Sequence, residues 1–289
     1  MRLVFYTSRK DRRIEFAEKF AAGVRKHGDI ITCRRLDGTF EQEPHVGVLI
    51  GNKLRHHMKP LTDRQLHVIY LDKAYPSLVN GGFPRNSEYV RVTLDGSHPT
   101  DYLTELGKPD DRRRLFDWHA TPWRTGGKYV LFAGAGRAFY QRLGIEDISG
   151  HILKIVQRLQ AGTKRPVIFR AKPNMPKDVW SKSGREGQSW AGPLENLLPD
   201  CHVVAVEDSA LCLQALLLGV PSLVLPEGNA PTKPISSRQF DEVNSPFLAP
   251  KELVESFLND LAYFQYSPAE YESGTAWEFL RFLWFRGRE

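Results

Sequence analysis

Long hydrophobic runs are missing from this chain of 289 residues. No apolar stretch approaches the roughly 20 residues that a membrane-spanning helix requires. The opening residues MRLVFY lead directly into a predicted strand, without the longer apolar core and small-residue cleavage site of a signal peptide. We therefore expect a cytoplasmic protein without a membrane span.

Cysteine is also scarce, which limits the metal and disulfide chemistry available to the chain. Its three cysteines, Cys33, Cys201 and Cys212, show no CxxC spacing and lie in or beside apolar segments. This pattern predicts buried, reduced thiols rather than a metal site or disulfides. His56 and His57 are adjacent, and adjacent side chains point in different directions on a helix or a strand, so we assign no metal to them.

Basic residues, by contrast, are in excess. The formal net charge is +6 and the pI is near 9.2. The excess is concentrated in clusters at residues 9–13, 53–59, 112–114 and 281–288. A basic protein suits polyanionic partners such as nucleic acids, although an ordinary solvated surface accounts for the charge equally well.

Predicted strands and helices alternate in two successive series, a pattern typical of parallel sheets. The first series has strands at residues 3–7, 30–34, 46–50, 68–71 and 89–93, and a helix at 14–26. The second series has strands at residues 129–133, 166–170, 202–206 and 220–225, and helices at 148–160, 210–218 and 251–263. Between the two series lies the linker-like segment PWRTGG, residues 122–127.

The alternation and the chain length together predict an α/β protein of two Rossmann-like domains, residues 1–125 and 126–267. The remaining segment, residues 268–289, has its aromatic and aliphatic residues in a helical register and is too apolar to stand in water. We expect it to form a C-terminal helix that crosses between the domains.

The stretch HVVAVEDSALCLQALLLGVPSLVL, residues 202–225, shows the pattern most clearly. Two short Val-rich strands flank apolar residues at helical spacing, and Gly219 with a proline behind it predicts where the helix ends. The polar corner Glu207-Asp208-Ser209 therefore lies between the end of a strand and the start of a helix. Corners of this kind bind ligands in parallel sheets.

These residues resemble a motif of GT-B glycosyltransferases. In that family the C-terminal domain binds the nucleotide sugar with a strand, a small or acidic residue, Ser and an Ala-rich helix that runs into Gly-x-Pro. Here the pattern reads from Glu207-Asp208-Ser209-Ala210 to Gly219-Val220-Pro221. The strand end Arg170-Ala171-Lys172-Pro173 is similar to the basic-Pro strand ends of capsule and lipopolysaccharide sugar transferases, with Lys172 in place of the usual His. The resemblance implies a metal-independent transferase that uses a nucleotide-sugar donor, for which we predict a UDP-linked sugar, and no further cofactor.

The chemistry of such a donor indicates which residues bind it. A nucleotide diphosphate leaving group gains negative charge as the glycosidic bond breaks, so it needs backbone N–H groups and cations. The predicted donor-binding residues are Gly134, Gly136, Arg137, Arg170, Lys172, Glu207, Asp208, Ser209, Glu227 and Asn229.

Structural explanations compete with several of these assignments. The Gly134-Ala135-Gly136 segment lacks the third glycine of GxGxxG and is also consistent with a plain tight turn. A carboxylate at 207 or 208 can cap the following helix. A surface ion pair is the alternative for the cations of residues 170–172, and a structural loop is the alternative for residues 227–231.

An inverting transfer also needs a general base beside the acceptor hydroxyl. Asp72 is the first candidate because it follows the predicted strand at 68–71, and Asp95 and His98 are the next. The alternative for Asp72 is a structural role, in which it caps a turn or pairs with Lys73.

The acceptor is predicted from the basic clusters of the first half. These residues are Arg9, Lys10, Arg12, Arg13, Lys53, Arg55 and Lys59, and they suit double-stranded DNA. The chain thus resembles phage enzymes that glycosylate hydroxymethylated pyrimidines in DNA, which would require the base to be extruded from the duplex. Two alternatives stay open: a polysaccharide or lipopolysaccharide glycosyltransferase, and a non-catalytic protein of the same fold that binds nucleotide or DNA.

Overall fold

The computed structural model of the chain describes residues 1–7, 11–36, 39–43, 45–51, 58–79, 88–172, 188–189 and 194–286. The chain forms two compact units. Unit 1 consists of Met1–Pro99 and Leu261–Glu289, and unit 2 consists of Thr100–Asp260. Unit 1 is therefore built from two separate segments of the sequence.

Unit 1 contains a six-stranded sheet. Its strands are β1 (Arg2–Thr7), β2 (Ile30–Arg35), β3 (Val46–Ile50), β4 (Val68–Lys73), β5 (Val90–Leu94) and β11 (Gln265–Tyr266). They lie in the order β11-β5-β4-β3-β1-β2. Strands β1 to β4 are parallel, whereas β5 is antiparallel to β4 and β11 is antiparallel to β5. The helices of unit 1 are α1 (Asp11–Lys26), α2 (Met58–Thr62), α3 (Pro76–Val79), α9 (Pro268–Ser273) and α10 (Thr275–Arg286).

Aromatic side chains connect α1 to the two C-terminal helices. The rings of Phe16 and Tyr271 pack edge to face with centroids 4.9 Å apart, and those of Phe20 and Trp277 with centroids 6.2 Å apart. Burial of such large rings contributes much of the stability of a core. The apolar helical register of the C-terminal segment is thus explained by packing within unit 1.

Unit 2 contains a five-stranded sheet whose strands are β6 (Tyr129–Ala133), β7 (Val167–Arg170), β8 (Gln188–Ser189), β9 (Cys201–Val206) and β10 (Ser222–Val224). The sheet is fully parallel, and its strands lie in the order β10-β9-β6-β7-β8. The helices are α4 (Asp111–Leu115), α5 (Arg137–Arg142), α6 (Ile148–Ala161), α7 (Leu211–Leu217) and α8 (Lys251–Ala262). All residues of β9 are buried, as expected of a central strand covered on both faces.

Helices cover the two faces of this sheet. Val130 and Phe132 of β6 pack with Ile152 of α6 on one face, while Leu131 packs with Ala215 of α7 on the other. The alternation follows from the two-residue period of a strand. Helix α7 ends just before Gly219, whose φ of +73° is the left-handed conformation that favours glycine, so the predicted helix end is confirmed.

The predicted α/β class with two Rossmann-like bodies is confirmed, but the structure divides the chain at other residues than those predicted. Residues 100–125 belong to unit 2, where the buried carboxylate of Asp260 accepts the backbone N–H groups of Leu106 and Lys108 at 3.0 and 2.9 Å. Helices α9 and α10, within the predicted segment 268–289, belong to unit 1.

Two of the three cysteines lie in the core of unit 2. Cys201 and Cys212 are buried free thiols, as predicted. The prediction for Cys33 is wrong, because β2 is the edge strand of its sheet and leaves that thiol exposed. Among the described residues, none of the helices combines the length and the apolar composition that a membrane span needs.

Candidate functional site

Polar residues of four loops meet at one edge of the unit 2 sheet. Because its strands are parallel, the loops that follow β6, β7, β9 and β10 all leave from the carboxyl ends of their strands. Three bonds connect them: Gly134 N–H to the Arg170 carbonyl (3.2 Å), Lys172 Nζ to the Asp208 carbonyl (3.1 Å), and Asn229 N–H to the Glu207 carbonyl (2.8 Å). This edge carries all ten residues predicted to bind the donor. That these residues bind the donor stays a prediction.

The glycine-containing loop after β6 has part of its backbone already bonded within the protein. Gly134 donates to the Arg170 carbonyl, and Ala135 N–H donates to the hydroxyl of Tyr140 at 3.0 Å. A Cβ at position 134 would also lie 3.2 Å from the ring of Phe169 and from the Tyr140 hydroxyl. Close packing therefore explains the small residue at 134, and the first backbone N–H that these bonds leave to a ligand is that of Gly136.

Three cationic side chains belong to these loops. Arg137, at the start of α5, is exposed, while Arg170 and Lys172 are half-buried. The Lys172 side chain crosses to the β9 loop, where Nζ donates to the Asp208 carbonyl. It also passes beside Gly136, since a Cβ on that glycine would lie 3.7 Å from Lys172 Cδ and 3.9 Å from Nζ. The Lys172 ammonium thus lies next to the backbone that remains open to a ligand.

Glu207 is a buried carboxylate with two side-chain partners. Only 1% of the residue is exposed. Its Oε2 accepts the Tyr140 hydroxyl at 2.7 Å, and its Oε1 lies 2.6 Å from His151 Nε2. Burial and the adjacent carboxylate raise the pKa of Tyr140, so its hydroxyl keeps the proton that it donates.

Tyr140 and His151 were missed at the level of sequence. Tyr140 lies in α5 beside another aromatic residue, Phe139, and His151 lies in the first turn of α6. Both helices have ordinary amphipathic patterns in which a tyrosine and a histidine read as core or surface residues. Only the fold brings them to Glu207, which is 67 residues from Tyr140 and 56 from His151 along the chain.

The remaining predicted donor residues lie on the loops after β9 and β10. Ser209 Oγ accepts the N–H of Leu211 at 3.3 Å, Asn229 Oδ1 accepts the Thr100 hydroxyl at 3.2 Å, and Glu227 is exposed. Between the last two lies Gly228, where a Cβ would lie 2.5 Å from the Glu207 carbonyl oxygen. The backbone of this loop therefore packs directly on the β9 corner.

A cavity of about 350 Å³ adjoins the same edge. Arg137 and Gln141 of α5 form one side, and residues of the turn into α6 form the other. The turn residues that line it are Gly144, Ile145, Glu146 and Ile148. It offers space beside the Arg137 guanidinium and is a place where part of a ligand can lie.

In unit 1, the general-base candidate Asp72 lies at the carboxyl end of β4. Its Oδ2 accepts the Tyr70 hydroxyl at 2.9 Å and lies 3.5 Å from an Arg91 nitrogen. Its side chain is 28% exposed, whereas that of Arg91 is 5% exposed. Asp72 therefore lies between a hydroxyl donor and a buried guanidinium, with part of its side chain exposed.

The other two base candidates have different bonding partners. Asp95 follows β5, which is antiparallel to β4, so it lies at the opposite end of β4 from Asp72. There its two oxygens bond the backbone N–H of Val68 and the ring of His67, both at 2.7 Å. His98 is buried and its Nδ1 bonds the Tyr75 hydroxyl. The structure does not bring Asp95 to the same edge as Asp72.

The side chains of the predicted DNA-binding residues lie outside what the structure describes. Arg9, Lys10, Lys53 and Arg55 lie outside the described residues. Arg12 and Arg13 belong to α1 and Lys59 belongs to α2, and only their backbone is described. A DNA contact at these clusters stays a prediction.

No protein-family model matches the chain, and no curated protein matches it either. Solved structures do. The β-Kdo 2,7 transferase of Thermosulfurimonas dismutans KpsC is 11% identical with a TM-score of 0.54, and the alignment covers 96% of this chain and 99% of that one. The β-Kdo 2,4 transferase of the same KpsC is 11% identical with a TM-score of 0.49, covering 90% of each chain. At this identity the likeness concerns the fold, and it confirms the predicted resemblance to sugar transferases of GT-B architecture at that level.

Proposed function

We propose that this protein is a glycosyltransferase that moves a sugar from a nucleotide-sugar donor to a hydroxyl acceptor. The observation that carries the proposal is the loop edge of unit 2, where Lys172 bridges two loops beside open backbone. The fold in which this edge occurs is shared with a sugar transferase over nearly the whole chain.

The donor half of the reaction follows from charge. As the bond between sugar and nucleotide breaks, negative charge accumulates on the leaving phosphate oxygens and must be neutralised in place. Lys172, Arg137 and Arg170 supply positive charge at this edge, and the bond from Lys172 Nζ to the Asp208 carbonyl fixes the ammonium before the donor arrives. A preorganised cation stabilises the transition state without reorganisation during the reaction. We propose a UDP-linked sugar as the donor and no further cofactor.

For the acceptor half, we propose Asp72 as the general base. It is the candidate at the carboxyl edge of the parallel strands, and its side chain is partly exposed. The Tyr70 hydroxyl and the Arg91 guanidinium hold its Oδ2 in place at this edge.

We propose a glycan as the acceptor. The likeness to a Kdo transferase and the basic strand end at Arg170 to Lys172, which resembles those of capsule and lipopolysaccharide transferases, both support a glycan over other hydroxyl compounds.

Mass spectrometry of donor and acceptor mixtures tests this function. The protein is incubated with a panel of nucleotide sugars, beginning with UDP sugars, and with polysaccharide and lipopolysaccharide fragments. We expect a mass gain of one sugar on a glycan, lost in Lys172→Met and Asp72→Asn but retained in His202→Gln, which changes a buried histidine at the other end of β9. If no nucleotide sugar is bound or consumed with any acceptor, the proposed function is wrong.

DNA is the second candidate acceptor, supported by the net charge of +6 and the basic clusters of the first half. Duplexes that contain 5-hydroxymethyl pyrimidines belong in the same screen. Transfer of a sugar to such a duplex, together with an affinity for DNA that falls steeply with salt, would make DNA the acceptor instead of a glycan. An affinity for DNA that does not change with salt would remove this candidate.

A further inference from the structure

We propose that Glu207 acts as a positioning residue of the donor site, together with Tyr140 and His151, and does not contact the donor itself. This inference rests on the proposed function, because it assumes that the loop edge of unit 2 binds a nucleotide. It gives a role to a buried polar group that neither core packing nor direct ligand contact explains.

Both oxygens of the Glu207 carboxylate have a side-chain partner inside the protein. Tyr140 donates to one oxygen and His151 Nε2 bonds the other, and only 1% of the residue is exposed. A carboxylate beside a phosphate would repel it, whereas this one is buried and bonded to side chains of α5 and α6. Direct contact with the donor therefore does not suit Glu207.

Tyr140 transmits the position of this carboxylate to the loop after β6. Its hydroxyl gives its proton to Glu207 and accepts the N–H of Ala135 at 3.0 Å. Because a hydroxyl has one proton, the donation to Glu207 leaves its lone pairs to receive Ala135. The orientation of the loop just before Gly136 is thus determined by the carboxylate.

The backbone at Glu207 connects to the other loops. Its carbonyl accepts the N–H of Asn229 at 2.8 Å, and the next carbonyl, that of Asp208, accepts Lys172 Nζ. One corner therefore positions the open backbone beside Gly136, the Lys172 ammonium and the β10 loop. A polar group buried for stability alone would be replaceable by an apolar one of similar size, but replacement of this side chain would release Tyr140 and with it the loop after β6, while the backbone bonds to Asn229 and Lys172 would remain.

The test combines Tyr140→Phe and Glu207→Leu with the conservative variant Glu207→Gln. The amide of Gln can still accept from Tyr140 and donate to His151, whereas Leu can do neither. The matched control is Tyr271→Phe, which removes another buried hydroxyl, bonded to the Val90 carbonyl in unit 1. The measurements are hydrogen exchange of the peptide around Ala135, melting temperature, and calorimetric titration with UDP and other nucleoside diphosphates.

We expect faster exchange around Ala135 and about tenfold weaker nucleotide binding in Tyr140→Phe and Glu207→Leu, because a buried N–H loses its acceptor. Glu207→Gln should retain most of the affinity, and Tyr271→Phe should lower the melting temperature without changing affinity. If Glu207→Leu fails to fold, Tyr140→Phe decides, since it removes a single oxygen atom.

Two results would overturn the inference, and they differ from a failure of the proposed function. Unchanged nucleotide affinity in Tyr140→Phe, with or without faster exchange, would show that the bonded chain from Glu207 to Ala135 does not position the site. Equal weakening in Tyr140→Phe and Tyr271→Phe would reduce the effect to general stability. If the unaltered protein binds no nucleoside phosphate while exchange around Ala135 still quickens in Tyr140→Phe, the proposed function is wrong and this role falls with it.

Discussion

Lys172→Met is the substitution that most directly tests the donor site. Methionine keeps the length and the apolar stem of the lysine, so contact with Gly136 is preserved while the ammonium and its bond to the Asp208 carbonyl are lost. A hydrogen bond to a charged group contributes about 1.5–3 kcal/mol. If Lys172 Nζ binds a phosphate of the donor, the Kd for nucleoside diphosphate should rise by about 10- to 150-fold.

The control for this variant is Lys128→Met, which removes the same charge from the same sheet. Lys128 Nζ pairs with Asp200 at 3.2 Å and lies just before β6, at the opposite edge. The five residues of β6 span about 17 Å at 3.3 Å per residue. That distance is about twice the Debye length of 8 Å at physiological ionic strength. Removal of this charge should therefore change the Kd by less than about twofold.

Calorimetric titration of both variants at physiological salt gives the comparison. A large loss in Lys172→Met alone supports a phosphate contact at this edge. Equal losses in both variants would mean that the affinity reflects net charge, and an unchanged Kd in Lys172→Met would show that the ammonium does not touch the ligand. Either of these results would refute the assignment.

Three further predictions concern the packing around the site. Gly228→Ala should weaken nucleotide binding and lower the melting temperature, because its Cβ would lie 2.5 Å from the Glu207 carbonyl; calorimetry measures both. Asp260→Ala should cost about 2–4 kcal/mol in urea unfolding, since two partly buried backbone N–H groups lose a carboxylate acceptor. Burial raises the pKa of the Asp260 carboxyl above its usual value of 3.8. Its contribution to stability is therefore complete below pH 3.8 and declines as the pH rises through the raised pKa. The difference in free energy of unfolding between wild type and Asp260→Ala should shrink over the same range. Thiol titration should find one reactive cysteine, Cys33, in the folded protein and three after denaturation, because Cys33 is exposed whereas Cys201 and Cys212 are buried, which raises the pKa of Cys201 to about 12 and that of Cys212 to about 11.

The loop edge of unit 2 could be predicted because its strands follow simple rules. A strand such as β9, buried on both faces, reads as a continuous apolar run, and the first polar residues after it mark the carboxyl end. Glu207 and Lys172 could thus be located at one edge from the sequence alone, because each follows the end of a predicted strand. It could not show that the Glu207 side chain is directed inward, since its partners are set by helix packing.

Unit 1 was harder to predict because β5 reverses direction. A strand pattern contains no information on whether its neighbour is parallel, and the rule that loops gather at one edge holds only for parallel strands. Asp95 therefore follows a strand end, as expected, but at the wrong edge relative to Asp72. The short strand β11, residues Gln265–Tyr266, is likewise too brief to be recognised by periodicity.

The two-segment composition of unit 1 has a consequence for how the chain folds during synthesis. Unit 2 is continuous from Thr100 to Asp260, so its sequence is translated before the second segment of unit 1, Leu261–Glu289. Unit 1 then still lacks β11 beside β5 and the helices whose Tyr271 and Trp277 cover α1. The N-terminal sheet, although made first, can therefore bury its aromatic core only after translation reaches the C-terminal helices.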